Sequence, residues 1–462
     1  MPRRRVSLAQ VDVPEAFDAI RHEAGVPDAF PAAAEAEAET AAAAVEAAHG
    51  GGESLDVPFV TIDPPGSHDL DQALHIERLG DGHRVRYAIA DVAAFVSADG
   101  ALDHEAHARG VTVYAPDRKA PLHPPLLSEG AASLLPGVWR PAVLWTIDLD
   151  ATGEPGAVTV ARATVRSVAQ HTYADVPAEL GELMREVGER RLTLERERGG
   201  VRLAVPEQEV AAADGGWTVH YRAPLASEEF NAQISLLTGM AAAKLMLGAG
   251  VGILRTQPAP EPRALERLRR QATALRVAWP AEMSYPEFIR TLDPSLPTHA
   301  ALMHEATGVG HGAGYTVFDG APPADPEHFA IAAPYAHATA PLRRLQDRYV
   351  SECCIAACAG AAVPDWVRTA LPGLPEAMAA GDKRARTVER GVVDLVEALL
   401  LQGREGERFE ATVIDDRLVQ LHDPAVRARI EGECPEPGSD VIVQLDRSDP
   451  ATRTVAFSAT RG

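Results

Sequence analysis

The sequence predicts an α+β protein: a mixed sheet surrounded by helices, with a helical segment before it and a C-terminal all-β OB-type barrel after it. Three observations predict this. At Asp56 an Ala/Glu-rich tract gives way to short alternating strand patterns. Between residues 178 and 402 most of the chain reads as helices, charged or apolar. After Gly403 five short strand patterns follow one another, the number and size of a small OB-type barrel.

Each element follows from local signals. In the helical segment, residues 1–54, Pro14-Glu15 opens a helix and Gly25-Val26-Pro27 breaks it. Ala32 to His49 has high helix propensity, and Gly50-Gly51-Gly52 reads as a linker. In residues 55–402, strands are expected at Val57–Ile62, Ala73–Ile76 and Val85–Val96, the last two around the turn Gly80-Asp81-Gly82. Ala101–Arg109 reads as helix and Val111–Tyr114 as strand. Ala142–Leu149 and Ala157–Ser167 alternate as strands around a hairpin at Asp150-Ala151-Thr152-Gly153. Helices are expected at Ala178–Arg198, Ser227–Leu247, Arg263–Ala278, Pro297–Ala306, Leu342–Ala361 and Met378–Gln402. The barrel, residues 403–462, has strands at Phe409–Ile414, Leu418–Leu421, Val426–Ile430, Asp440–Asp446 and Thr454–Ser458.

Composition narrows the function. A chain of 462 residues is long enough for two to four domains and a core that needs no disulfide or metal staple. Its 46% hydrophobic and 24% charged residues exclude a largely disordered chain. No uninterrupted apolar run approaches the ~18 residues of a membrane span. Met1-Pro2-Arg3-Arg4-Arg5 is followed by polar residues and no apolar signal region, so a cytoplasmic protein with no membrane partner is expected. The formal net charge of −22 excludes a protein that coats nucleic acid generally, but leaves room for a local basic channel. Cys353, Cys354, Cys358 and Cys434 lack zinc spacing and read as reduced thiols.

Two stretches carry chemistry. In Thr61-Ile62-Asp63-Pro64-Pro65-Gly66-Ser67-His68-Asp69-Leu70-Asp71-Gln72, three aspartates follow an apolar strand. Pro-Pro-Gly forces a tight loop, and Asp69 and Asp71 share one side of an extended segment. Converging carboxylates repel unless a cation or proton offsets them, and hard oxygen ligands suit Mg²⁺ or Mn²⁺. The plainer reading is a polar turn in which Asp69 caps. In the second stretch, Tyr335 to Asp347, Thr339 can cap a helix and Pro341 suits its first turn. Arg343 and Arg344 then lie at the positive helix end, which is unfavourable unless an anion binds there. Arg343 pairing with Asp347 across i,i+4 is the plainer reading. His68 reads as a loop histidine, Asp91 as a turn cap, and Gly308-Val309-Gly310-His311-Gly312 as a surface loop without phosphate-loop context.

Together these stretches resemble the RNB catalytic domain of the ribonuclease II / ribonuclease R family. The resemblance runs in order from about Asp56 to Leu400. It includes Tyr87-Ala88-Ile89-Ala90-Asp91-Val92, Leu102-Asp103-His104-Glu105-Ala106, Arg109-Gly110-Val111-Thr112-Val113-Tyr114, Glu228-Glu229-Phe230 and Ala340-Pro341-Leu342-Arg343-Arg344. It implies a 3′→5′ exoribonuclease that uses Mg²⁺ (Mn²⁺ is the other candidate) to release nucleoside 5′-monophosphates from single-stranded RNA, working as a monomer. It implies that Asp63, Asp69 and Asp71 hold metal and orient water, with Gln72 at a fourth ligand position. Asp71 and Arg343 would be catalytic, Arg343 at the scissile phosphate. Tyr114 would stack on bases, and Arg344, Glu229 and Asp382 would contact RNA. The C-terminal barrel is similar to the S1-like barrel that closes such proteins.

The departures are specific. Gln72 stands where the family usually has a fourth Asp, and a neutral amide is a weaker ligand than a carboxylate. Ala340 replaces the usual Ser, Leu345 the usual Tyr, and Gln257 a common His. Helix rather than cold-shock-type barrels precedes the catalytic region. These changes leave a second expectation open, a catalytically weak RNB-fold protein that binds RNA.

Overall fold

The structure is a computed structural model that describes residues 13–48, 54–203, 207–213, 216–222, 224–294, 296–424 and 426–459. The expected linker at residues 50–52 lies outside them. The chain opens with α1 (Val13–Glu23) and α2 (Ala32–Ala48), then β1 (Ser54–Ile62), β2 (Gln72–Leu79), β3 (Gly82–Ala90), α3 (Ala101–Arg109), β4 (Trp139–Leu149) and β5 (Pro155–His171). It continues through α4 (Ala178–Glu197), the hairpin β6 (Glu207–Ala213) and β7 (Gly216–Arg222), α5 (Ala226–Ala249) and β8 (Val251–Thr256). Next come α6 (Pro262–Ala274), α7 (Tyr285–Thr291), α8 (Pro297–Thr307), β9 (Gly314–Asp319), β10 (Glu327–His328) and β11 (Ala333–Pro334). The helical part ends with α9 (Leu345–Ala359), α10 (Asp365–Ala370) and α11 (Leu374–Leu401). Five strands complete the chain: β12 (Arg408–Asp415), β13 (Leu418–Leu421), β14 (Arg427–Glu431), β15 (Asp440–Asp449) and β16 (Thr454–Ala459).

The expected mixed sheet closes on itself. Strands β1 to β4 join antiparallel except that β5, after pairing with β4, runs parallel to β1. Its 17 residues make this possible. Pro155 to Arg166 pair with β4, and Thr164 to His171 pair with β1, whose register shifts between Leu55 and Val60. Both faces are buried. On one, Leu74, Val85, Tyr87, Ile89 and Trp145 pack with Val187, Leu237 and Val350 from the helices. On the other, the small residues Ala73, Ala88 and Ala142 leave room for Phe59, and Ala34 and Ala38 of α2 join the same cluster. Gly80, at φ 58°, makes the two-residue β2–β3 turn that the sequence announces.

Two strand expectations change. Val85–Val96 ends as a strand at Ala90 and turns into a short 3₁₀ segment, Val92–Ala94. Val111–Tyr114 forms only isolated bridges, Val111 with Arg344 and Val113 with Ala120. The apolar α5 is the one described helix long and apolar enough to cross a membrane, by length and composition only. It is built into the core, where Ile234, Leu237, Ala242 and Met246 are buried.

The two ends are tied to the middle. Phe17 and Ile20 of α1 pack against Val388, Val392 and Leu395 of α11. The C-terminal strands close a second barrel in the order β12-β13-β14-β16-β15, filled by Phe409, Val419, Leu421, Val443 and Phe457. Leu401, the last residue of α11, is fully buried in that barrel's core.

Candidate active site

Barrel closure fixes where the acidic loop sits. Asp63 follows β1, and its amide donates to the His171 carbonyl at the end of β5 (3.0 Å). Gly66, at φ 80°, turns the chain after Pro64-Pro65. Leu70 is fully buried and anchors the return: its amide donates to Ser133 Oγ (2.9 Å), and its carbonyl accepts from the Leu134 amide (3.0 Å). Ser133 Oγ also donates to the His68 carbonyl (2.6 Å). The loop is therefore held by a distant segment, with Asp69 and Asp71 flanking the anchor.

The aspartates differ in environment. Asp71 is 3% exposed; its Oδ1 accepts from the Leu342 amide (2.7 Å), and its Oδ2 lies 3.4 Å from Arg343 Nε. Burial pushes its carboxyl up to about 7, against the pull of Arg343. Asp63 Oδ2 is buried with no hydrogen-bond partner, and burial pushes this carboxyl up to about 6. Asp69 is compensated instead: Tyr114 donates its hydroxyl to Oδ2 (3.1 Å), and Lys119 Nζ lies 2.7 Å from Oδ1. Lys119 also reaches Glu129 (3.0 Å). The field of Arg343 acts on both Asp63 and Asp71, so the aspartates are arranged around a guanidinium. Among the described residues no set of three or more His, Cys, Asp or Glu side chains gathers closely enough to hold a metal ion. The three expected carboxylates therefore do not form one close cluster, and Asp69 is paired with Lys119.

Gln72 is the first residue of β2, and its Oε1 accepts from the Tyr87 hydroxyl (2.6 Å). That hydroxyl is also 3.0 Å from Ser235 Oγ on α5. The amide is fixed by its neighbours rather than left loose in the loop.

The basic pair divides differently from the sequence expectation. Arg344 meets Asp347 through Nε (3.1 Å) and Nη2 (2.7 Å), and Asp347 Oδ2 also accepts from the Ala340 amide (2.8 Å). That bond folds residues 340–344 into a turn, so α9 starts at Leu345 with Arg344 as its extended N-cap. Thr339 therefore does not cap this helix, and Pro341 precedes it rather than entering its first turn. Arg343, with no claim from Asp347, is half exposed and turned to Asp71.

Other expected residues spread outward. Tyr114 is 48% exposed, with its ring open to a partner. Asp382, on α11, lies 3.9 Å from Arg255, whose guanidinium sits over the Tyr315 ring. Glu229, in the first turn of α5, lies 3.5 Å from Arg202. His68 is exposed. Asp91 turns to Arg162 (2.9 Å) and not to the acidic loop. The glycines at 308–312 link α8 to β9, and the Gly310 carbonyl accepts from Gln257. Lys119, Ser133 and Tyr87 are the residues to which sequence reasoning gave no site role; Tyr87 lies in a stretch that carries the family resemblance, and Lys119 is one of three lysines in the chain.

The donor set fits a divalent cation in one respect. Asp63 Oδ2 is an orphaned buried acceptor that shares the field of Arg343 with Asp71, and Mg²⁺ is commonly held by one or two carboxylates plus substrate phosphate oxygens. Asp69 and Gln72 are already engaged by Lys119, Tyr114 and Tyr87.

Comparison with known proteins identifies the family. The model described as "RNB domain" matches residues 54–358, well over half of the chain. The chain belongs to the RNB family. A second model, "RNase II-type exonuclease C-terminal S1 domain", matches residues 407–460. Ribonuclease R of Acidithiobacillus ferrooxidans is 41% identical over 123 residues, 27% of this chain and 28% of that protein. The aligned stretch therefore spans under a third of that relative's length. The fold is similar to that of Mycoplasma genitalium RNase R, with TM-score 0.85 and 18% identity, covering 97% of this chain and 78% of that one. That protein has also been solved with ribose-methylated single-stranded RNA and with double-stranded RNA. Yeast Ssd1, titled a pseudonuclease, shares the fold at TM-score 0.65 and 14% identity, covering 84% of this chain and 52% of that one.

Proposed function

We propose that this RNB protein is a monomeric, cytoplasmic 3′→5′ exoribonuclease acting on single-stranded RNA and releasing nucleoside 5′-monophosphates. The observation that carries the reading is the meeting of Asp71 and Arg343, which are far apart in sequence, with the field of the same guanidinium acting on Asp63, whose Oδ2 is orphaned. Asp63 and Asp71 would hold Mg²⁺ (or Mn²⁺), which supplies an activated water and offsets charge on the leaving oxygen. The chain's own residues do the rest. Asp71, fixed by the Leu342 amide, orients the attacking water. Arg343, half exposed and adjacent, offers guanidinium donors to the phosphate as its charge grows. Tyr114 stacks on a base without regard to sequence, its ring steadied by the bond to Asp69. Lys119 neutralises Asp69, so the anionic substrate meets fewer bare carboxylates. Arg344 acts from beneath, holding residues 340–344 in the turn that presents Arg343.

The test is a time course on 5′-labelled single-stranded RNA in Mg²⁺ and separately in Mn²⁺. The expected result is a ladder shrinking from the 3′ end, with Asp71→Asn and Arg343→Ala each slower by about 10²–10³-fold. Intact RNA in both metals, with RNA still bound, would replace this reading with the second one.

That second reading is an RNB-fold protein that binds RNA and cleaves it poorly. One observation favours it: Gln72 stands where a carboxylate is usual and is locked by Tyr87. Gln72→Asp separates the two. A site built around Gln72 gains nothing or loses rate, because a half-buried charge replaces the amide that accepts from Tyr87, whose hydroxyl also meets Ser235. A crippled site gains at least about tenfold.

A further inference from the structure

A cavity of about 760 Å³ opens between α4, α5 and the start of β5, on the side of α5 reached two residues after Ser235 has met Tyr87. Its apolar lining includes Val158, Leu194, Leu237, Met240 and Leu245, and none of its lining residues is aromatic. Arg191 of α4 and Arg198, the residue that ends that helix, seven positions on, also line it. Arg191 is 3% exposed; its Nη1 donates to the Gly153 carbonyl (2.8 Å), but its Nε is buried without an acceptor. Arg198 donates Nε to the Ile331 carbonyl (2.8 Å), and its Nη2 is likewise buried without an acceptor. Lys244 stands exposed at the edge. The lining carboxylates are Glu154, 3.7 Å from Arg191 and mostly in solvent, and Glu197, which is exposed.

Buried guanidinium donors without acceptors are rare, because each leaves a desolvated polar group unpaid by any bond. Burial pushes Arg191 down to about 10, and the nearby Arg198 adds to that effect. Those two nitrogens are closed off from the cavity, so an anionic group lodged there meets the parts of the two guanidiniums that line it and offsets their desolvated charge. The rest of the cavity asks for aliphatic surface, and its volume is that of a typical small-molecule site. A nucleotide fits poorly, since no aromatic ring is present to stack on a base.

We propose that this cavity binds an amphipathic anion: a linear aliphatic chain ending in a carboxylate or a phosphate, its head on Arg191 and Arg198 and its chain along α5. The site is separate from the aspartates and stands whether or not the protein cleaves RNA.

The test is calorimetric titration of the full chain with decanoate and with decyl phosphate, alongside decanol, decyltrimethylammonium and adenosine 5′-monophosphate. Both anions bind with one-to-one stoichiometry and raise the melting temperature, and the three comparison compounds do neither. Arg198→Gln weakens binding about tenfold. Met240→Glu abolishes it: Met240 lines the cavity and is only partly buried, so the variant folds while its carboxylate repels the anion from the apolar lining. Melting without ligand checks that folding. Equal binding of decanol, displacement by the mononucleotide, or undiminished binding to Met240→Glu would each overturn the proposal.

Discussion

Asp63 carries a cost that Asp69 avoids. Asp69 has Lys119 and Tyr114 for partners, whereas Asp63 Oδ2 is buried with none, and its carboxyl is pushed up to about 6 by burial. A raised carboxyl pKa means that the folded chain binds the proton more tightly than the unfolded one. The penalty is therefore fully present above about pH 6 and fades as pH falls toward the ordinary carboxylate value near 4. In chelator at pH 7.5, Asp63→Asn is expected to stabilise the protein by about 1–3 kcal/mol while RNA hydrolysis is lost. Denaturant melts at pH 7.5 and pH 4 check this, and the gain must shrink at the lower pH. A stability loss at pH 7.5 would mean that the attraction of Arg343 outweighs burial, contrary to the shift.

At the scale of elements, α1 is held by one buried cation. Arg21 is fully buried and reaches Asp117 through Nη1 (2.7 Å) and Nη2 (2.8 Å), with Asp18 as a further partner. Asp117 lies two residues before Lys119 and three after Tyr114, so this pair also braces the loop that faces Asp69. Removing Asp117 leaves a charge in the interior with an exposed partner only. Asp117→Ala should cost about 3–5 kcal/mol, read from the denaturant midpoint, with α1 becoming open to proteolysis. The tie to the C-terminal barrel is apolar: Leu401→Ala empties a fully buried position in that barrel's core and should cost about 2–5 kcal/mol. Elements were legible in the sequence where the signal was local. The strands of the C-terminal barrel and the helix Ala101–Arg109 follow from periodicity and turn residues, and the structure has them within a few residues. Barrel closure by β5 was not legible, because a parallel pairing across a hundred residues leaves no local mark. The start of α9 was misread for a similar reason. Thr339 and Pro341 are good local helix-start signals, but Asp347 accepts from the Ala340 amide and pairs with Arg344, which overrides them.

The whole molecule poses an electrostatic problem. The aspartates and Arg343 stood out in the sequence as types of residue, but the pairing of Asp71 with Arg343 and of Asp69 with Lys119 needed the fold. The formal net charge of −22 was legible from composition alone, and it bears on how RNA arrives. At distances beyond the Debye length of about 10 Å at 0.1 M salt, RNA meets a net negative body. In the proposed function, only inside that distance would Arg343 meet phosphate and Tyr114 meet a base. Salt should therefore affect the two stages in opposite directions. Raising it weakens the long-range repulsion and speeds encounter, whereas it also weakens the short-range phosphate contacts and speeds departure. A basic RNA-binding protein would lose association rate over the same range. Stopped-flow binding of a labelled single-stranded RNA to Asp71→Asn, which retains Arg343, is expected to show an association rate flat or rising between about 0.02 and 0.2 M salt, with a dissociation rate that rises throughout. An association rate falling tenfold over that range would show that a local positive field reaches well beyond the surface and dominates capture despite the overall charge.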